Sequence, residues 1–219
     1  NKALFLIIGG LLKKAVISDF ISTNFVDRVF DAPNSYTAFE NLMASYGYAI
    51  QIYCDFSGYS DMAIGSAKML GFRLKQNFNL PYLANSIADF WKRWHISLSS
   101  WFGDYLYKPL GGNRVSTSRI YLNLMIVFLV SGLWHGANWT YIIWGGIHAA
   151  LFVPLILLKR NRKYTSNVVA EGKLLPSLKD VFAMGSTFAL VCLAWVFFRA
   201  DTVTGAINYI VGFSELPTP

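Results

Sequence analysis

Only three histidines occur in the 219 residues, and two of them sit in short aromatic motifs. His95 lies in Phe90-Trp91-Lys92-Arg93-Trp94-His95-Ile96-Ser97, and His135 in Ser131-Gly132-Leu133-Trp134-His135-Gly136-Ala137-Asn138-Trp139. An imidazole titrates near neutral pH, so it can take a proton from a hydroxyl and return it to a leaving group. His135 ends an apolar run, where an ionisable side chain is expensive to keep and is functional by default. A buried histidine at a helix break, facing a cavity, suits transfer of an acyl group from a thioester to a hydroxyl. The competing reading of His135 is an imidazole bonded to a backbone carbonyl in a packed core. For His95 the competing reading is anchoring at a membrane surface. His148 lies beyond His135 by an offset of about 140° on a continuous helix, so the two would not share a face, and His148 reads as structural.

Two carboxylates interrupt a second apolar stretch, in Asp55-Phe56-Ser57-Gly58-Tyr59-Ser60-Asp61. On a helix they stand about 120° apart, so they do not converge on one point unless the Ser57-Gly58 step distorts it. Capping or pairing with nearby Lys or Arg competes with a role beside a substrate. Cys54 and Cys192 lie in apolar surroundings without metal-ligand spacing, and with so few histidines no metal site is expected.

The elements that must hold these groups are helices in a membrane. The chain is 54% hydrophobic and 14% charged, where soluble domains carry about 25% charged residues. Ile120–Trp134, Trp139–Leu158 and Val181–Phe198 are long uncharged or nearly uncharged runs, the last two being close to the roughly 20 residues a span needs. His135–Asn138 is a break between the first two, with Asn138 as cap of the next helix. Ala3–Leu12 reaches only about 15 Å as a helix, too short to span, and reads as the tail of a truncated span or as a re-entrant or interfacial piece. Val16–Tyr36 is mixed in character, and Gly71–Asn85 is loop-like. Ser86–Gly103 reads as one tryptophan-rich helix in the interface plane, capped by Ser86, with Asp89 in its first turn. Asp104–Arg119 is a tight loop continuing it.

Charge supports the same class. The net charge of +7 is carried by residues dispersed between apolar runs, not gathered on one face, which argues against nucleic-acid binding and for a lipid surface. Lys159, Arg160, Arg162, Lys163, Lys173 and Lys179 outnumber Glu171 and Asp180 in the loop after the second span, which places that loop in the cytoplasm. The start of Ile120–Trp134 falls on the same side, and the turn carrying His135 lies deep in or beyond the bilayer. The start, Asn1-Lys2, has no cleavage site of a signal peptide and reads as the beginning of a fragment of something longer.

Taken together, these motifs resemble the membrane-bound O-acyltransferase family, most closely its bacterial alginate O-acetylation branch. The resemblance runs through Tyr53-Cys54-Asp55-Phe56-Ser57-Gly58-Tyr59-Ser60-Asp61-Met62-Ala63-Ile64-Gly65, then Phe90–Ser99, Asp104–Arg114 with its Pro109-Leu110-Gly111-Gly112-Asn113-Arg114 loop, Gly132–Ala137 and Trp195–Ala200. It implies an all-α, polytopic membrane protein, a partial helical funnel with interfacial and re-entrant helices forming one transmembrane domain over 1–219, with earlier spans missing. It implies His135 as the catalytic histidine and His95 as a second family histidine near the tunnel. Trp91, Trp94, Trp134, Asn138, Trp139, Asp55 and Asp61 would line the tunnel or position the substrate.

The implied activity is transfer of an acetyl group from a cytoplasmic acetyl-CoA or acyl carrier protein thioester, with no bound cofactor. The group would cross the bacterial inner membrane for O-acetylation of a cell-surface polysaccharide such as alginate. An acyl carrier protein and an extracytoplasmic acetyltransferase are the implied partners, besides membrane lipid. D-alanyl transfer to teichoic acid is the related alternative, and a channel or transporter the non-enzymatic one. One departure is local: Gly103 stands where many relatives carry Arg.

Overall fold

Small residues at seven-residue spacing seat the first helix on the longest one. In the computed structural model, which describes residues 2–158 and 175–214, α1 (Lys2–Leu11) runs on through π-type turns over Leu12–Ser18 and Ser22–Val26 into the short helices α2 (Asp19–Ile21) and α3 (Asp27–Asp31). The stretch from Ala3 is thus the start of a longer helical path, and the mixed stretch from Val16 is helical as far as Asp31. α4 (Ala38–Met69) is a single helix through Asp55–Asp61, so the Ser57-Gly58 step does not break it. A capping box closes its start: Thr37 Oγ1 accepts from the Glu40 amide, and the Glu40 carboxylate accepts from the Thr37 amide. A Cβ on Gly58 would stand 2.7 Å from the Gly10 carbonyl oxygen, and one on Gly65 2.8 Å from that of Ala3. Real Cβ atoms essentially never come that close, so the two helices meet backbone to backbone only because these positions are glycine.

The chain forms two compact units, residues 1–77 with 199–219, and residues 78–198. In the first, Tyr209 of α10 (Val203–Val211) stacks on Phe30 at 4.3 Å and donates its hydroxyl to the Asn41 carbonyl. Arg199 reaches Asp27 at 3.0 Å and lies 5.6 Å over the Phe30 ring.

The second unit holds α5 (Ile87–Arg93), α6 (Ile96–Phe102), α7 (Thr117–His135), α8 (Trp139–Leu157) and nearly all of α9 (Leu178–Arg199). Here α7, α8 and α9 are long and apolar enough to cross a membrane, at the three places the hydropathy marks. Among the described residues there is no strand. Most of the basic 159–180 loop lies outside the described residues. Its described end shows Ser177 capping α9, with Ser177 Oγ accepting from the Asp180 amide.

The single interfacial helix expected over Ser86–Gly103 is instead two short helices. Trp94 is extended and His95 adopts the left-handed conformation, with φ 44°. That backbone turn ends α5, and His95 becomes the cap position of α6. The expected start is right: Ser86 Oγ accepts from the Asp89 amide. The Asp89 carboxylate also accepts from Arg93 Nε at 2.9 Å and from the Asn85 amide.

Candidate functional site: a histidine pair at the end of a helical hairpin

The α7–α8 hairpin is held as closely as α1 on α4. A Cβ on Gly145 would overlap the Phe128 carbonyl, and one on Gly132 the Tyr141 carbonyl. The polar intrusion Asn123 is fully buried and satisfied, donating Nδ2 to the Leu110 carbonyl and accepting from Arg119 Nε. At the turn, Gly136 is extended, and the Tyr141 ring occupies the place its Cβ would take, at 2.6 Å. Asn138 Oδ1 accepts from the Thr140 amide at 3.1 Å, capping α8 as expected. The last residue of α7 is therefore His135, presented at the break.

Aromatic rings surround that imidazole. Trp134, Trp144 and Phe198 stand edge to face with it, with centroids at 4.9, 5.2 and 5.1 Å. Among the described residues no hydrogen bond holds either ring nitrogen, so the reading of a histidine tied to a carbonyl is not what the structure has. His95 faces the same Trp134 indole, at 6.4 Å, and its Nδ1 lies 3.4 Å from Ser97 Oγ. Both family-type histidines thus flank one tryptophan. Burial pushes the His95 imidazole down to about 4, so it is neutral at physiological pH.

The other expected site residues are distributed unevenly. Trp94 is 4% exposed and packs on Trp195 and Phe90, within the core of its unit. Trp134 and Trp139 are exposed at the hairpin end. Trp91 is half-buried and donates its indole N–H to His148 Nδ1 at 3.3 Å. Asp55 and Asp61 belong to the other compact unit. Asp55 pairs with Lys14 at 2.6 Å and Asp61 with Lys13 at 2.7 Å. Adjacent lysines on the neighbouring helix reach one α4 carboxylate each, Lys14 holding Asp19 of its own helix as well, which resolves the 120° between them without bending α4. No group of three or more potential metal ligands occurs among the described residues.

One contributor, Trp144, was not legible from motifs. Trp144 touches His135, His148, Trp195 and Phe198 at once. Its indole nitrogen, that of Trp195, and His148 Nε2 are buried with no hydrogen-bond partner among the described residues. Because Nδ1 of His148 accepts from Trp91, Nε2 carries the proton, so all three are donors. A buried donor without an acceptor is rare and costly. The only sequence signal for Trp144 is tryptophan density within apolar runs, which packing explains equally well.

The family model for membrane-bound O-acyltransferases matches residues 3–169. The chain belongs to the membrane-bound O-acyltransferase family. It is 44% identical, over 97% of its length, to a peptidoglycan O-acetyltransferase of Helicobacter pylori, covering 38% of that protein. It is 45% identical, over 89% of its length, to a probable alginate O-acetylase of Azotobacter vinelandii, covering 36% of it. A teichoic acid D-alanyltransferase of Bacillus subtilis is 34% identical over 86% of the chain and is covered to 48%. The chain thus spans less than half the length of these relatives.

Proposed function

We infer that the protein of which this chain forms part is an O-acyltransferase of a bacterial inner membrane, transferring acetyl groups for O-acetylation of an envelope or extracellular polysaccharide such as alginate. The observation that carries this reading is the pair of imidazoles flanking Trp134 at the hairpin end, with His135 free of any hydrogen bond among the described residues. A neutral His135 takes the proton of an accepting hydroxyl as its oxygen bonds to the thioester carbonyl carbon. When the C–S bond breaks, the imidazolium returns that proton to the departing thiolate. Negative charge develops on the carbonyl oxygen meanwhile, and donors held in a water-poor site stabilise it. The Trp144 N–H, on the ring beside His135, is a donor of that type. His95 positions the acyl group or shares the proton.

The donor in this reading is acetyl-CoA or an acyl carrier protein thioester on the cytoplasmic side. A separate extracytoplasmic acetyltransferase receives the group and delivers it to the polymer. Acetyl is favoured over D-alanyl because the relatives named for acetylation are 44% and 45% identical, against 34% for the one named for D-alanyl transfer. Asp55 and Asp61, paired with lysines, serve to hold α1 and the following turns on α4. The test is a transfer assay on membranes carrying the full-length protein, given radiolabelled acetyl donor and, in parallel, D-alanyl carrier. Acetyl transfer from the first and none from the second is the expected result, and the reverse would assign the D-alanyl reaction instead.

A further inference from the structure

A cavity of about 470 Å³ runs beside α7 from Leu124 to Ser131, with Trp91 and Lys92 of α5 and Ser99 and Ser100 of α6 in its wall. Ser131 lies one helical turn before His135, about 6 Å along the helix axis. Trp144 and His148 stand behind the Trp91 indole. Both touch it, with ring centroids at 5.8 and 5.0 Å, and neither lines the cavity. The same Trp144 ring meets His135 edge to face at 5.2 Å. Trp91 thus separates the cavity from the aromatic cluster around His135.

His148 is what fixes this indole. It is fully buried on α8, and the Phe90 and Phe128 rings lie nearly parallel to it, at 2° and 23°. Those rings set the plane of the imidazole, and its Nδ1 accepts the Trp91 indole N–H at 3.3 Å. An indole has one polar hydrogen and no acceptor, so this bond selects one orientation among those that packing would allow. A histidine inside a span is expensive to keep, and the acyl transfer inferred above gives this one no task.

We propose that His148 is a positioning residue: through the Trp91 N–H it holds the indole as a fixed wall of the cavity, and that wall limits the acyl group reaching His135 to a short chain. The inference rests on the acyl transfer proposed above, in which the acyl group must approach His135. The space behind the wall is filled by the imidazole itself. Removing the imidazole takes away the acceptor of the N–H and opens a void behind the ring. A donor left without its acceptor is costly, so the indole gains by moving, and the void lets it withdraw. The cavity then deepens toward α8 and admits further methylenes.

The test uses membranes carrying the full-length protein, given acetyl and butyryl donors, each as the CoA and as the carrier-protein thioester. His148→Ala should raise the butyryl-to-acetyl ratio about tenfold, the low end of what one methylene is worth in a fitted pocket. His148→Asn places an amide oxygen where Nδ1 stands and should keep the ratio near wild type. Asparagine is also smaller than histidine, so a role in packing alone would shift both variants alike. Trp91→Phe shrinks the wall itself at a half-buried position, and should raise the ratio even where a His148 variant fails to fold. An unchanged ratio in Trp91→Phe, or the same shift in His148→Asn as in His148→Ala, overturns the proposal. A second measurement needs no donor. In protein labelled with 5-fluorotryptophan, the fluorine resonance lost in Trp91→Phe should move in His148→Ala and hold its place in His148→Asn. A resonance unmoved in His148→Ala overturns the proposal whatever the transfer assay gives. A resonance that moves, in a protein whose wild type transfers no acyl group, would overturn the inferred function and uphold the hold of His148 on Trp91.

Discussion

The α1–α4 contact and the α7–α8 hairpin use glycine in the same way and ionisable groups in opposite ways. In both, backbones touch at glycines whose Cβ would collide with a facing carbonyl: Gly58 and Gly65 in one, Gly132 and Gly145 in the other. At the first contact the carboxylates are matched, Asp55 with Lys14 and Asp61 with Lys13. At the end of the second, His135 has no hydrogen-bond partner among the described residues. Beside it, Trp144, His148 and Trp195 hold donors without acceptors. Charges that pair are consistent with architecture alone. Groups left unpaired in a close-packed, aromatic setting carry a cost that packing does not return.

The sharpest way to break this contrast is to remove the imidazoles. In the full-length protein His135→Ala should lower acetyl transfer by about 10²–10⁴-fold, the range for a lost general acid–base group, with membrane insertion unchanged. His95→Ala should follow it, and should cost more activity per inserted protein than His148→Ala. Wild-type turnover in a well-inserted His135→Ala protein would remove it from the reaction. A larger loss from His148→Ala would transfer the role to the buried imidazole.

Packing predicts the next effect, and predicts it for both regions equally. Gly132→Ala and Gly58→Ala each place a methyl group against a backbone carbonyl. Overpacking of that kind costs about 1–3 kcal/mol. Thermal unfolding in detergent should show similar losses for the two. Stability unaffected by Gly58→Ala would mean that α1 sits more loosely on α4 than the glycine contacts imply.

What the sequence makes legible follows from range. The break at His135–Asn138 is written locally, in a glycine and a capping asparagine, and the three spans are written in composition. The kink at Trp94-His95 is not, because a left-handed histidine carries no residue-type signal and the surrounding pattern reads as one amphipathic helix. The partners of Asp55 and Asp61 are 41 and 48 positions away, beyond any spacing rule. The convergence of Trp144, Trp195 and Phe198 on His135 likewise needs three helices brought together. Motif recognition reached His95, His135, Trp134 and the Trp195–Ala200 segment. It did not reach Trp144, which joins them.

Acidification separates the two regions through His95. Burial holds its pKa at about 4, below the ordinary 6.5. Above pH 6.5 the residue is neutral in folded and unfolded chains alike. As the pH falls from 6.5 toward 4, the unfolded chain binds a proton that the folded chain refuses, so stability falls across that window. Melting temperatures at pH 7.5 and 5 should therefore drop more for wild type than for His95→Gln. An equal drop would mean that His95 is more open to water than its packing beside Trp134 indicates.

The smallest effect belongs to the paired carboxylates, and its smallness is what the comparison requires. Asp61 and Lys13 are both partly exposed, with side chains 26% and 35% accessible. Ion pairs of that kind contribute about 0–1 kcal/mol, because water screens the attraction and two long side chains lose freedom. Asp61→Asn keeps the shape and can still accept a hydrogen bond from Lys13. It should therefore leave acetyl transfer within about twofold of wild type, with a stability loss under about 1 kcal/mol. Transfer rate and melting temperature measured on the same preparation separate the two roles. A large fall in rate at unchanged stability would make Asp61 part of the substrate path, and the pairing with Lys13 would then be a resting state of a working group.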